Sequence, residues 1–171
     1  EVQSLHVPPG LRPHVHLDDQ TNDREVDPAD EIQRAVLMVR PQIDSTMELV
    51  CELPSLPPLQ AQPGRISQAV LHLLQNAVQA MANAGDSRRI AVQAYASERQ
   101  LQISVADTGV GIPKDIIDQV QDPFFSTRTT GYGAGLGLPT AQHIAADLGG
   151  AMEISSEEGA GTTVTITLPT G

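Results

Sequence analysis

Apolar positions recur at two spacings along this chain, and the switches between them mark out its elements. Ile32, Ala35, Val36 and Val39 lie three and four apart, which predicts a helix over residues 28–40 with Asp27 as N-cap and Pro28 in its first turn. Met47 to Leu53 reads as a strand ended by Pro54, and a Pro-rich connector follows to Pro63, with a short extended piece near Leu59. Residues 64–84 carry the clearest helical stripe: Ile66, Val70, Leu73, Ala77 and Met81, flanked by Ala69, Leu74 and Val78. Spacing then falls to two. Arg89–Ala96 and Gln100–Asp107 read as strands joined by a hairpin at Ser97-Glu98-Arg99. A short helix begins at Pro113, and 121–136 is irregular and glycine-rich. Leu138–Leu148 reads as a helix stopped by Gly149-Gly150, and strands at about 151–156 and 162–168 close the chain. Helices and strands mix without regular βαβ alternation, which predicts an α+β fold, a two-layer sandwich of mixed sheet on helices. Residues 1–22, rich in Pro, His and Asp and without a period, read as an arm or linker remnant, leaving one domain over 23–171.

The 64–84 helix has a second stripe. No charged residue occurs from Ile66 to Gly85, so this helix is expected to be covered on most sides. Yet His72, Gln75, Asn76, Gln79 and Asn83 line it with uncharged hydrogen-bonding groups, and His72 and Asn76, four apart, point the same way. Covered polar groups need partners, supplied either by a ligand and its metal or by neighbouring backbone and water. Farther on, Asp107-Thr108-Gly109-Val110-Gly111 follows the alternation Leu101, Ile103, Val105, placing a carboxylate where a strand ends and the chain turns. Gly109 and Gly111 allow positive φ and close backbone approach to a planar ligand. The carboxylate can accept from an exocyclic amine, or can simply open an Asx turn. Gly131, Gly133, Gly135 and Gly137 precede a patterned helix, so bare backbone N–H groups and a helix N-terminus can bind an anion without a lysine. No Gly-Lys-Ser/Thr follows them, which excludes a P-loop.

Composition sharpens this picture at three points. Aromatics make up 2% of the 171 residues, so the core must be aliphatic; Phe124, Phe125 and Tyr132 cluster instead within the irregular stretch. The net charge of −11 argues against a nucleic-acid groove or an anionic membrane surface. One Cys excludes an internal disulfide, no apolar run is long enough to cross a bilayer, and a cytoplasmic domain is expected, with any membrane anchor elsewhere in the parent protein. A start at Glu rather than Met suggests an excised piece.

Five segments then converge in order: Leu71-His72-Leu73-Leu74-Gln75-Asn76-Ala77, Asp107-Thr108-Gly109-Val110-Gly111, Asp122-Pro123-Phe124-Phe125-Ser126-Thr127, Gly133-Ala134-Gly135-Leu136-Gly137-Leu138 and Gly159-Ala160-Gly161-Thr162. Together they resemble the asparagine, first-glycine, phenylalanine, second-glycine and final glycine-threonine boxes of the catalytic domain of sensor histidine kinases. Those domains belong to the GHKL ATPases, with gyrase, MutL-type repair proteins and heat-shock chaperones. The resemblance covers about residues 24–169, and the Phe-Phe-Ser-Thr-Arg run and compact glycine lid look most similar to nitrogen-regulation-type sensors. It implies the Bergerat fold, ATP as ligand, and Mg²⁺ held by Asn76. His72 takes the preceding polar position on the same face, and Asp107 the role of adenine-amine acceptor. Gly109 and Gly111 then shape the base pocket, and Thr162 supports it. Gly133, Gly135, Gly137 and Leu138 correspond to the ATP lid, with Phe124 and Phe125 as its anchor.

Position 79 departs from the pattern, because Gln79 stands where many such kinases carry Lys or Arg near the phosphates. Arg128 is the candidate substitute, with an idle surface Arg as the plain alternative. None of His6, His14, His16, His72 and His143 lies in the His-Glu or His-Asp context of a phosphoacceptor, and His143 reads as structural, facing Ala and Ile. The resemblance therefore implies phosphoryl transfer to a histidine on a dimerisation domain outside this chain, with a response regulator downstream. A nucleotide-sensing module with little or no kinase activity is the alternative. A repair- or chaperone-type ATPase fits less well, and a serine kinase acting on an anti-sigma partner shares the fold and is distinguished by which residue type becomes phosphorylated.

Overall fold

The computed structural model describes residues 22–120 and 137–171. In chain order the elements are β1 (Arg24–Val26), α1 (Pro28–Val39), β2 (Met47–Cys51), β3 (Leu59–Ala61), α2 (Arg65–Ala80), β4 (Arg88–Ala96) and β5 (Gln100–Asp107). α3 (Lys114–Val120), α4 (Gly137–Asp147), β6 (Ala151–Glu157) and β7 (Gly161–Pro169) complete them. A five-stranded sheet runs β2-β4-β5-β7-β6, with β2 parallel to β4 and the other pairs antiparallel. It is mixed and packs against helices on one face, as the absence of βαβ alternation predicts.

Strand alternation decides what lies between the layers. Ile90 and Val92 of β4, Leu101, Ile103 and Val105 of β5, Met152 and Ile154 of β6, and Val164, Ile166 and Leu168 of β7 are all buried. They meet the stripe of α2, in which Ile66, Val70, Leu73, Ala77 and Met81 are buried as predicted, together with α1 and α4. The described core has no aromatic residue, and Tyr95 is 65% exposed on the sheet's outer face. Aliphatic packing carries this fold.

α2 sits between α1 and α4 and is covered on most of its surface, as its lack of charge implies. Its N-terminus has no side-chain cap of its own, because Gly64 occupies that position. The cap comes from α1. The Glu31 carboxylate, 2% exposed, accepts the backbone N–H of Gly64 at 3.1 and 3.2 Å and that of Ser67 at 3.0 Å. Ser67 Oγ returns a 2.7 Å bond to the Glu31 carbonyl, and Arg34 pairs with the carboxylate at 3.0 Å. A negative group at a helix N-terminus satisfies orphan donors and matches the helix dipole.

The boundaries differ from expectation in instructive ways. α2 ends at Ala80 rather than 84, because the Ala80 carbonyl accepts the N–H of Val110 and the chain leaves by i→i+3 bonds, Met81 to Val78 and Ala82 to Gln79. β2 ends at Cys51 rather than Leu53, where its ladder with β4 stops. β1 was not expected; it pairs antiparallel with the extended piece at Leu59–Ala61 to make a separate two-stranded ribbon. His143 is a correction. The buried stripe of α4 runs Leu138, Ala141, Ile144 and Ala145, which leaves His143 exposed, with Nε2 3.4 Å from Asp147. Asp147 also takes Arg65 at 2.7 Å, tying the end of α4 to the start of α2.

Candidate functional site

Three strands end their inward alternation with a polar residue at the same end of the sheet. On β5 the series Leu101, Ile103, Val105 continues to Asp107; on β6, Met152 and Ile154 continue to Ser156; on β7, Val164 is preceded by Thr162. Asp107 and Thr162 are directly opposed in register, as are Ser156 and Thr162. Apolar pairing along the strands thus carries a carboxylate and two hydroxyls to one corner, under the helices.

Asp107 is 8% exposed. Its Oδ1 accepts the Gly109 N–H at 2.9 Å, which is the plain Asx turn, but the Thr162 N–H also bonds to the carboxylate. Burial pushes the carboxyl above its ordinary value, and those two N–H groups pull it partly back. An anion left this poorly solvated, with acceptor capacity to spare, suits a donor brought by a ligand. Thr162 Oγ1 lies 2.8 Å from Ser156 Oγ, which accepts the Ile112 N–H at 2.7 Å and donates to the Gly161 carbonyl at 3.1 Å. Asp107, Lys114, Ser156, Gly161 and Thr162 help line an open depression of about 550 Å³.

The glycines of the 107–111 turn also lie against the protein's own backbone. Only Gly111 has positive φ, +72°, and a Cβ there would fall 2.1 Å from the Glu157 carbonyl oxygen. A Cβ on Gly109 would fall 2.6 Å from the Ala80 carbonyl oxygen. The close approach is to the protein's own backbone: the turn is clamped between the end of α2, through Val110 N–H to Ala80, and the β6–β7 turn, through Gly159 N–H to the Val110 carbonyl at 2.8 Å.

That clamp places α2's polar stripe beside the turn. Asn76 lies one helical turn before Ala80, about 6 Å along the axis. It is 7% exposed, and its Oδ1 is buried with no hydrogen-bond partner among the described residues. A buried acceptor in that state costs about 1–3 kcal/mol unless something fills it. A hard amide oxygen suits Mg²⁺, which is commonly held by few protein ligands together with phosphate oxygens. Among the described residues no cluster of three or more His, Cys, Asp and Glu is placed to hold a metal ion. His72, half-buried one turn earlier, is held below its ordinary pKa by burial, which favours its neutral form. Gln79 is exposed near the helix end.

Residues 61–171 match the family of histidine kinase-, DNA gyrase B- and HSP90-like ATPases. The chain belongs to that family. The Sensor histidine kinase ZraS of Escherichia coli (strain K12) is 40% identical over 115 residues, 67% of this chain and 24% of the relative. The Non-motile and phage-resistance protein of Caulobacter vibrioides is 31% identical over 161 residues, 91% of this chain and 18% of that protein. The chain thus spans a quarter or less of the length of these relatives. Among solved structures, a mycobacterial sensor histidine kinase, MprB, superposes with a TM-score of 0.69 at 25% identity, covering 86% of this chain and 97% of that one. Full-length ShkA, solved in complex with AMPPNP, superposes with a TM-score of 0.73 at 25% identity over 88% of this chain and 31% of that one. The two-layer α/β sandwich is that of the sensor-kinase catalytic domains of this family.

Of the residues expected in the site, Asp107, Gly109, Gly111 and Thr162 meet at the sheet corner, with Asn76 and His72 on the adjoining helix. Leu138 is fully buried at the start of α4, so only its main chain is available to a ligand, and Gly137 is the first residue of that helix. Phe124, Phe125, Arg128, Gly133 and Gly135 lie outside the described residues. Ser156 was not foreseen, although the alternation Met152, Ile154 already put position 156 on the inner face.

Proposed function

We propose that residues 23–171 are the ATP-binding catalytic domain of a two-component sensor histidine kinase, with residues 1–22 as an arm leading into it. The observation that carries the reading is the pairing of two unspent acceptors: the desolvated Asp107 carboxylate and, beside its turn, the buried unpartnered Oδ1 of Asn76. Asp107 accepts from the exocyclic amine of adenine, and Thr162 supports that edge of the base. Asn76 would hold Mg²⁺, which would offset phosphate charge against a chain of net charge −11. His72 stands on the same helix face as Asn76, and in the neutral form that burial favours it can donate or accept one hydrogen bond toward the phosphates. By the sequence resemblance, Gly133, Gly135 and Gly137 correspond to a phosphate lid with Phe124 and Phe125 as its anchor, and Arg128, three residues after Phe125, is assigned from spacing alone the charge that Gln79 lacks.

The domain binds and orients the nucleotide while the nucleophile comes from outside. An imidazole nitrogen of a histidine on the dimerisation domain attacks the γ-phosphorus, the bond to the β–γ bridging oxygen breaks, and ADP leaves. A response regulator then takes the phosphoryl group from that histidine. The nitrogen-regulation likeness rests on the sequence of the Phe-Phe-Ser-Thr-Arg run and the compact glycine lid. Sensor kinases among the relatives favour this reading over a purely nucleotide-sensing module.

The test has two arms. ADP with Mg²⁺ should stabilise the chain, by about 2.7 kcal/mol at a hundredfold excess over Kd, read as a higher melting temperature. The chain mixed with its parent's dimerisation domain and γ-labelled Mg·ATP should label that domain with acid-labile phosphohistidine. No thermal shift overturns the nucleotide assignment. A shift without label overturns the transfer.

A further inference from the structure

We propose that Ser156 is a positioning residue: through Thr162 it fixes the direction of the hydroxyl hydrogen bonds in the base pocket, and so sets the preference for a 6-amino over a 6-oxo purine. The inference rests on the reading of Asp107 as acceptor of the base amine.

The argument is a count of protons. Ser156 Oγ makes three polar contacts: the Ile112 N–H at 2.7 Å, the Gly161 carbonyl at 3.1 Å and Thr162 Oγ1 at 2.8 Å. A hydroxyl carries one proton and two lone pairs. The carbonyl cannot donate, so the contact with Gly161 must use the serine proton. Ile112 brings its own. The remaining contact is then filled only if Thr162 donates and Ser156 accepts. In this order all three contacts hold a proton and Ser156 is fully used. The Thr162 proton is committed, and its oxygen keeps lone pairs alone.

Thr162 is directly opposite Asp107 in the ladder, and both line the same depression. Two neighbouring groups therefore present acceptors and no donor. A 6-amino purine meets them with N–H bonds, whereas a 6-oxo purine sets a carbonyl oxygen against a carboxylate and a threonine lone pair. Removing the Ser156 hydroxyl releases the Thr162 proton, which can then turn to a 6-oxo group. The Asp107 repulsion stays, so the preference narrows without vanishing. Ser156 touches no part of the base in this scheme.

Calorimetric titration of the chain with ADP and with IDP, both in Mg²⁺, tests it. Wild type should favour ADP by about tenfold or more, and Ser156→Ala should narrow that ratio by about fivefold. Ser156→Thr, which keeps the hydroxyl, should retain the wild-type ratio. In a Thr162→Val background, Ser156→Ala should leave the ratio unmoved, because the route through Thr162 is gone. A purely structural role would weaken both nucleotides alike and leave the ratio alone. Should Ser156→Ala fail to melt cooperatively, Ser156→Cys, similar in size and only a weak acceptor, carries the same comparison. A folded Ala or Cys variant with the wild-type ratio overturns the role of Ser156. A wild type that binds ADP and IDP equally overturns the base-pocket reading beneath it.

Discussion

At the sheet corner, Asp107, Ser156 and Thr162 are each tied to protein partners; one helix away, the Asn76 amide oxygen is buried with none among the described residues. The corner is held rigid by backbone. The Asx turn, the Ile112 N–H and the β6–β7 turn fix its groups before any ligand arrives. The helix end instead carries an unfilled acceptor that α2 tolerates because the aliphatic stripe and the Glu31 cap hold the helix in place. On the proposed reading, that difference would divide recognition of a base, which needs preset geometry, from the holding of an ion, which needs a free oxygen.

The comparison is broken most severely at Gly161. Its φ is +124°, and a Cβ would fall 2.0 Å from the Asp107 carbonyl oxygen. Gly161→Ala forces β5 and β7 apart at the corner, at a cost of about 3–5 kcal/mol in stability. For a chain of this size that corresponds to a melting temperature lower by roughly 10 °C. A thermal melt by circular dichroism reads it, and an unchanged midpoint would show that the corner is not preset.

Asp107→Asn keeps the shape and removes the charge. ADP binding should weaken by about 2–3 kcal/mol, the scale of a buried charge-assisted hydrogen bond, in calorimetric titration. Acid should do the same to wild type. Because burial holds the carboxyl above its ordinary value, Asp107 takes up its proton at a higher pH than a free carboxyl, and ADP affinity falls correspondingly early on acidification. Stability of the free protein moves the other way: the folded carboxyl binds its proton more tightly than the unfolded one, so its contribution favours the fold at low pH and is lost as pH rises through the raised value. The Asn variant should lack both slopes.

Much of this was legible in the order of residues, and what escaped did so for physical reasons. β5 matches its predicted bounds because its alternation, Leu101 to Asp107, is set by one buried face. The stripe of α2 is equally plain, but its end is not, since the hydrogen bond that stops it comes from Val110, thirty residues on. β1 has three residues and no period; only β3, far along the chain, makes it a strand. Glu31 looks like an ordinary first-turn acid of α1 until Gly64 and Ser67 are folded against it. Asn76 and Asp107 could be named because their types and order resemble a family. That Asn76 Oδ1 has no described partner, and that a Cβ on Gly109 would meet the Ala80 carbonyl, took the structure.

Asn76→Ala probes the other side of the comparison and should leave the fold nearly untouched. Removing an unpartnered buried acceptor relieves a cost, and the small cavity returns one, so stability should stay within about 1 kcal/mol of wild type by denaturant titration. Mg²⁺ should nevertheless cease to strengthen ADP binding. A large loss of stability would mean that Asn76 has a structural partner, and an unchanged metal dependence would remove it from the metal site.

The smallest expected effect belongs to His72, one turn before Asn76. Burial holds its pKa below the ordinary value, so the unfolded chain binds that proton more readily than the folded one. The sign follows: its share of stability is complete above the ordinary histidine value and is lost as pH falls below it toward the lowered folded value. The side chain is only half-buried, so solvent screens the effect and the slope stays below that of one full proton. Urea midpoints measured for wild type and His72→Gln between about pH 5 and 7.5, the range of histidine titration, isolate this part from the other histidines. The two curves should meet in slope at neutral pH and diverge in acid, with wild type falling faster. Parallel curves throughout would mean that the imidazole is as well solvated as a free one, and the polar stripe of α2 would then be open to water at His72 and closed only at Asn76.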